Sequence, residues 1–379
     1  KNIFSGIRLL ELSSVLAGPS VGMFFAELGA EVIKIENPEL CGDVTRSWKT
    51  PEEKSDSDIS AYFCAVNFGK KSIALNLNKK EDYIIFKKLV SVSDIITVSF
   101  KNGDDLKLKA DYKSIKKINP KIIYAQITGF GLDDERTAFD AVIQAYSGFM
   151  SINGYPEKEP LKMPVALIDI LTAHQIKEAI LLAYINKLKT GNGSYVHCSL
   201  LDAGISSLAN QATNYLNTGV VPHRKGSEHP NIYPYGSLFK TADDKFILLA
   251  IGSDSQFKKF CLIVDKDKIL SSEKYNKNAD RVKLKDELKP IIEKYILSWK
   301  SKNLIKALDK YKIPAAIVLD LKEVFKQKQT DKLVLKSKIK KENYIGVRTF
   351  SADINNNKQI NLTPPPHLDQ HRKEILKLI

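Results

Sequence analysis

Over its first 130 residues the chain alternates short apolar strand patterns with helical ones, and this alternation is what most narrows the folds open to it. Residues 6–12 (GIRLLEL), 31–36 (EVIKIE), 71–77, 94–98 and 121–128 (KIIYAQIT) predict strands. Residues 19–28 (PSVGMFFAEL) and stretches near 79–92 and 111–118 predict helices, with Gly29 where a C-terminal cap would sit. Strands separated by crossover helices predict an α/β domain with a parallel sheet covered on both faces. The first strand-to-helix turn, residues 13–19 (SSVLAGP), carries no GxGxxG, so a dinucleotide fingerprint is absent.

The pattern changes after the turn Thr190-Gly191-Asn192-Gly193. Residues 195–199 predict a strand and 201–217 a helix; 222–236 read as a loop rich in Pro, His, Gly and Tyr. Two short strands, at 237–241 and 245–251, and several lysine-rich helices follow to about 325. The tail holds a strand-like 344–349, three prolines at 364–366 and a terminal helix. The expected division is a large domain of residues 1–200 joined by 326–379, a connecting segment 201–225, and a smaller α+β domain 226–325.

Composition sets limits on function. No apolar run approaches the ~20 residues of a membrane helix, and no signal peptide is visible, so a cytoplasmic protein without a membrane partner is expected. Four cysteines (Cys41, Cys64, Cys198, Cys261) lie far apart with no CxxC and no histidine at ligand spacing. They read as lone buried thiols rather than disulfides or a metal site. The net charge of +14 raises a nucleic-acid hypothesis, but only seven of the 58 basic residues are arginines, the side chain that forks onto bases. No nucleic-acid partner is expected; lysine clusters such as 336–341 read as solvated faces. A basic surface still attracts small polyanions.

The order of motifs resembles the class III CoA-transferase family (CaiB/BaiF), which includes formyl-CoA transferase and relatives of carnitine CoA-transferase. Residues 6–39 are similar to that family's N-terminal signature nearly throughout. Gly42-Asp43-Val44-Thr45-Arg46, residues 67–75 (NFGKKSIAL), 118–124 (INPKIIY), Thr128-Gly129-Phe130-Gly131, 190–194 (TGNGS) and Pro366-His367-Leu368-Asp369-Gln370-His371 follow in the family's order. In the last, Asp369 replaces a glycine. The resemblance implies a Rossmann-like large domain, a smaller domain, and an interlocked homodimer that moves coenzyme A from an acyl-CoA donor to a small carboxylic acid. It implies no metal and no redox cofactor.

The resemblance also implies a catalytic aspartate, Asp169, in the run 164–173 (PVALIDILTA), where Ala173 replaces the family's glycine. Read from the residues alone, Asp169 follows an apolar run, and Ile170, Ala173, Ile176 and Ile180 recur at helical spacing. An aspartate there is commonly just an N-cap. The two roles are compatible, because a helix start would keep the carboxylate ionised for attack on a thioester. Gly129, Phe130 and Gly131 either supply oxyanion donors or form a plain tight turn.

The implied CoA contacts are Val15, Leu16, Ala17, Asn37, Leu75, Ser99 and Phe100, with Arg46, Lys70, Lys71, Lys101 and Arg136 as candidate phosphate cations. Asn37, Ser99 and Lys101 depart from the family's residues there. Arg224, Lys225, His229 and Tyr235, in the 222–236 loop, are candidates for a second carboxylate, which would suit a dicarboxylic donor such as succinyl-CoA. The sister activity, α-methylacyl-CoA racemase, needs a histidine in an A-G-H-D run. Here the run is Thr137-Ala138-Phe139-Asp140, and phenylalanine moves no proton. His174 is expected on another side of its helix from Asp169. A non-catalytic CoA-binding protein is the other alternative, against which Asp169 stands.

Overall fold

The structure, a computed structural model, describes residues 2–339, 342–354 and 360–379. It divides into one unit of Lys1–Phe149, Lys162–Val220 and Asp331–Ile379 and a second of Met150–Leu161 and Val221–Thr330. The segment Met150–Leu161, which the sequence reading left in the large domain, belongs to the second unit.

The first unit is built on six strands: β1 (Arg8–Leu12), β2 (Glu31–Glu36), β3 (Lys70–Ala74), β4 (Ile95–Val98), β5 (Ile123–Thr128) and β6 (Ser194–Ser199). Their order is β3-β2-β1-β4-β5-β6, and every neighbouring pair is parallel. The order reverses between β1 and β4, and the strand ends there form the crevice in which open α/β sheets take ligands. Alternate side chains pack to opposite faces, both of them covered, so apolar residues stand at successive strand positions, interrupted by buried charges such as Glu11 and Lys34. Ile123, Ala125 and Ile127 enter one core, with helices α1 (Ala17–Glu27) and α5 (Leu167–Thr190). Tyr124 enters the other, with α2 (Lys80–Ser91), α3 (Tyr112–Ile118) and Ile375 near the C-terminus. A short helix α4 (Asp140–Tyr146) lies between β5 and α5 in sequence.

Helix α1 is buried at every position, which is why residues 17–27 show no polar face. Gly22 lies against Glu11, a charge inside β1 that pairs with Lys34 (2.9 Å) and Lys70 (2.8 Å), all three fully buried. The sequence reading of one helix over 201–217 gives way to two, α6 (Leu200–Ser206) and α7 (Ala209–Thr218), broken where Ala209 takes φ 47°. The lysine cluster is a strand rather than a bare solvated face: Val334–Ile339 pairs antiparallel with Glu342–Val347, with Lys336 and Lys338 at exposed positions. Lys340 and Lys341 lie outside the described residues. The cysteines are free as expected, but not all buried: Cys41 is exposed and Cys198 half-buried.

The second unit has its own core around a three-stranded antiparallel sheet, Tyr235–Lys240, Phe246–Ala250 and Ala315–Ile317. The third strand is three residues long, too short to announce itself by alternation. Arg281 is wholly buried there, donating to the carbonyls of Tyr233, Tyr275 and Asn276 and pairing with Asp254.

Candidate active site

Asp169 occupies the third position of α5, in its first turn, and is 6% exposed. It is not the N-cap that the sequence suggested. The cap group comes from elsewhere: Asp140, the first residue of α4, accepts the amides of Ile168 (2.7 Å) and Asp169 (3.3 Å) on Oδ1. Its Oδ2 accepts Gln144 Nε2 at 2.6 Å, and Gln144 Oε1 accepts the amide of Met163 on the segment leading into α5. Asp140 is thus held by three donors. Neither carboxylate oxygen of Asp169 accepts a hydrogen bond from any described residue.

This arrangement reverses the expected electrostatics. The positive helix end is spent on Asp140 rather than on Asp169. Burial, and after it the charge of Asp140, push the Asp169 carboxyl up from its ordinary 3.8 to about 7. Tyr62, whose phenol is raised first by burial and then by the charges of Asp169 and Asp140, marks a third nearby group. The sequence reading met Asp140 only as the end of the 137–140 run and gave it no role, and Gln144 escaped it; an Asp and a Gln four residues apart at a helix start was the signal for the pair.

Asp169 lines a cavity of about 320 Å³ at the carboxyl ends of β1, β4 and β5. Val15, Leu16, Ala17, Ser99, Phe100, Lys101, Gly129, Gly131, Arg136, Phe139 and Asp140 share its wall. A second cavity of about 230 Å³ is lined by Asn37, Leu75, Ser99 and Phe100. Ser14, Ser99 and Phe100 line both. The amides of Leu16, Ala17 and Gly18, at the start of α1, have no acceptor among the described residues, and no side chain caps that helix. At Gly129 an added Cβ would fall 2.2 Å from that of Ala138, so glycine lets the 137–140 segment close on the cavity. Phe130 turns elsewhere, under the guanidinium of Arg136 at 3.8 Å.

Three candidate cations are not brought to either cavity. Arg46 is buried, bonded to Glu36 through both Nε and Nη2 at 2.8 Å and to the carbonyl of Pro366. Lys70 is fully buried against Glu11, Asn67 and the carbonyl of Pro19. Lys71 pairs with Glu31 and Glu374. Their charges balance carboxylates inside the sheet, a pairing that motif position does not reveal. At the cavity, Lys101 is exposed with no ion pair among the described residues, and Arg136 pairs with Asp134 at 2.7 Å. Arg224, Lys225, His229 and Tyr235 all lie in the second unit. His174 is exposed on α5, and no histidine lines either cavity among the described residues.

No described helix is long and apolar enough to cross a membrane, and no described group of three or more His, Cys, Asp or Glu could hold a metal. Residues 4–372 match the family model described as CoA-transferase family III. A succinate–glutarate CoA-transferase of Agrobacterium fabrum is 38% identical over 98% of this chain and 94% of its own. The human succinyl-CoA:glutarate CoA-transferase is 33% identical over 98% of this chain and 85% of its own. A solved CaiB/BaiF family protein from Brucella suis aligns over 100% of both chains with a TM-score of 0.88 and 34% identity. A buried carboxylate that accepts no hydrogen bond from any described residue, at the switch point of a six-stranded parallel sheet and within a sequence matched along nearly its whole length, leaves one conclusion: the chain belongs to CoA-transferase family III and is a class III CoA-transferase.

Proposed function

We propose that the enzyme transfers CoA between dicarboxylic acids, with Asp169 as the nucleophile. The observation that carries this is the asymmetry of the two carboxylates: Asp140 is held by three donors, while Asp169 has none and faces the cavity. A carboxyl poised near 7 is more nucleophilic when ionised than an ordinary one, yet still ionised in large part at neutral pH. Its oxygen attacks the thioester carbonyl carbon of the donor; the C–S bond breaks, giving a mixed anhydride and CoA thiolate. The thiolate attacks the aspartyl carbonyl, forming an aspartyl-CoA thioester and releasing the first acid as carboxylate. The acceptor carboxylate then repeats both steps in reverse and leaves as the new acyl-CoA.

Each tetrahedral oxyanion needs donors, and the three free amides at the start of α1 belong to residues that line the same cavity, as do Gly129 and Gly131. The second cavity, through Asn37, Leu75, Ser99 and Phe100, suits the nucleotide end of CoA, and Lys101 is the rim cation available to a phosphate. Dicarboxylic substrates are supported by the succinyl, glutarate and mesaconate specificities of the relatives. We further infer an interlocked homodimer, which would cover the exposed Leu182, Ile185 and Leu188 of α5. Light scattering that finds a folded 42.5 kDa chain at nanomolar concentration would overturn it.

The test of the nucleophile is chemical. Incubation with succinyl-CoA followed by hydroxylamine should convert Asp169 to a hydroxamate, read by peptide mass, and Asp169→Ala should abolish transfer. Transfer by Asp169→Ala within threefold of wild type would remove Asp169 from the reaction.

A further inference from the structure

The turn from β1 into α1 is held in an unfavourable conformation. Val15 has φ 72°, in the left-handed region where a β-branched side chain clashes with its own backbone. Such a residue persists only when its surroundings over-determine it. Here two charged groups grip the turn on either side of Ser14. Lys34 Nζ donates to the carbonyl of Ser13 at 2.7 Å, and the Val15 amide donates to Asp43 Oδ1 at 3.3 Å. The two groups are themselves paired at 2.9 Å, and both side chains are fully buried. Lys34 is anchored by Glu11, and Asp43 Oδ1 also takes the amide and hydroxyl of Thr45 at 3.0 and 2.8 Å. Lys34 and Asp43 line the second cavity with their side chains fully buried, and catalysis as so far described gives the pair no role.

We propose that the buried Lys34–Asp43 ion pair is a positioning device for the active-site turn. It fixes the Ser13 carbonyl and the Val15 amide together, and so holds Val15 in the left-handed conformation that sets the free amides of Leu16, Ala17 and Gly18 at the wall of the Asp169 cavity. This rests on the reading of that cavity as the site of CoA transfer. Both partners act through Val15.

The experiment is a double-mutant cycle on transfer from succinyl-CoA to glutarate, with melting temperature measured alongside. Asp43→Ala should lower kcat/KM by about thirtyfold in the wild-type chain but by no more than about threefold in a Val15→Gly chain. Glycine takes φ near 72° without penalty, and the coupling of about tenfold is that expected for a left-handed residue. An equal loss in both backgrounds would mean that Asp43 serves general stability, and would overturn the proposal. Should Asp43→Ala not fold, Val15→Pro decides, because it keeps both charges while removing the amide and forbidding positive φ. A drop of tenfold or more in kcat/KM with little change in melting temperature supports the device; wild-type kcat/KM in Val15→Pro sinks it. Absence of transfer by the wild-type chain would instead defeat the underlying functional reading, and that shows before any variant is made.

Discussion

Replacing Asp169 by asparagine should abolish transfer and, above neutral pH, make the protein more stable. The folded-state carboxyl lies near 7 against an ordinary 3.8, chiefly because burial opposes its charge. A raised carboxyl pKa means that the fold prefers the protonated group. The associated stability is present in full below about pH 4 and is lost as pH rises through about 7. About three units at 1.36 kcal/mol each put the cost of the ionised form at roughly 4 kcal/mol at pH 8. Asparagine has the same shape, carries no charge, and forfeits no cap, because Asp140 accepts the first-turn amides. Asp169→Asn should therefore melt on the order of 5 °C above wild type at pH 8 and converge with it near pH 4. Thermal unfolding of both proteins across that range is the assay. An offset that does not change with pH would refute the claim that an uncompensated buried charge sits at this position.

Asp140→Asn keeps an acceptor for the Ile168 amide but removes the neighbouring charge, so the acid limb of the kcat/KM profile should move to lower pH; an unmoved limb would uncouple the pair. Arg46→Ala strands the buried Glu36 carboxylate and should cost roughly 3–5 kcal/mol in a denaturant titration. Lys101→Ala, by contrast, should leave stability alone and raise KM for acyl-CoA about fivefold, an effect that shrinks in high salt. At Gly22 an added Cβ would fall 1.9 Å from Glu11 Oε2, which its two lysines hold in place, so Gly22→Ala should destabilise by about 2–4 kcal/mol in the same titration.

Much of the architecture was legible in the chain itself. Short strand patterns separated by helical periods point to a parallel sheet, because strands buried on both faces carry apolar residues at successive positions, broken here by the paired charges of Glu11 and Lys34. The helix start that carries Asp169 was legible too, from the helical spacing of Ile170, Ala173, Ile176 and Ile180. What the sequence alone could not settle was the partnership of charges. Arg46, Lys70 and Lys71 look like free cations in a basic chain, yet each neutralises a carboxylate 10 to 59 residues away in sequence. The electrostatic state of Asp169 was likewise decided by tertiary structure. Only the packing of α4 against α5 places Asp140 over the helix end, 29 residues upstream of the residue whose charge it opposes. Periodicity reports which face of an element is buried, since that depends on neighbours a few residues apart. Ion pairing and pKa depend on groups brought together by chain crossings and on the water excluded between them, and no local pattern encodes either.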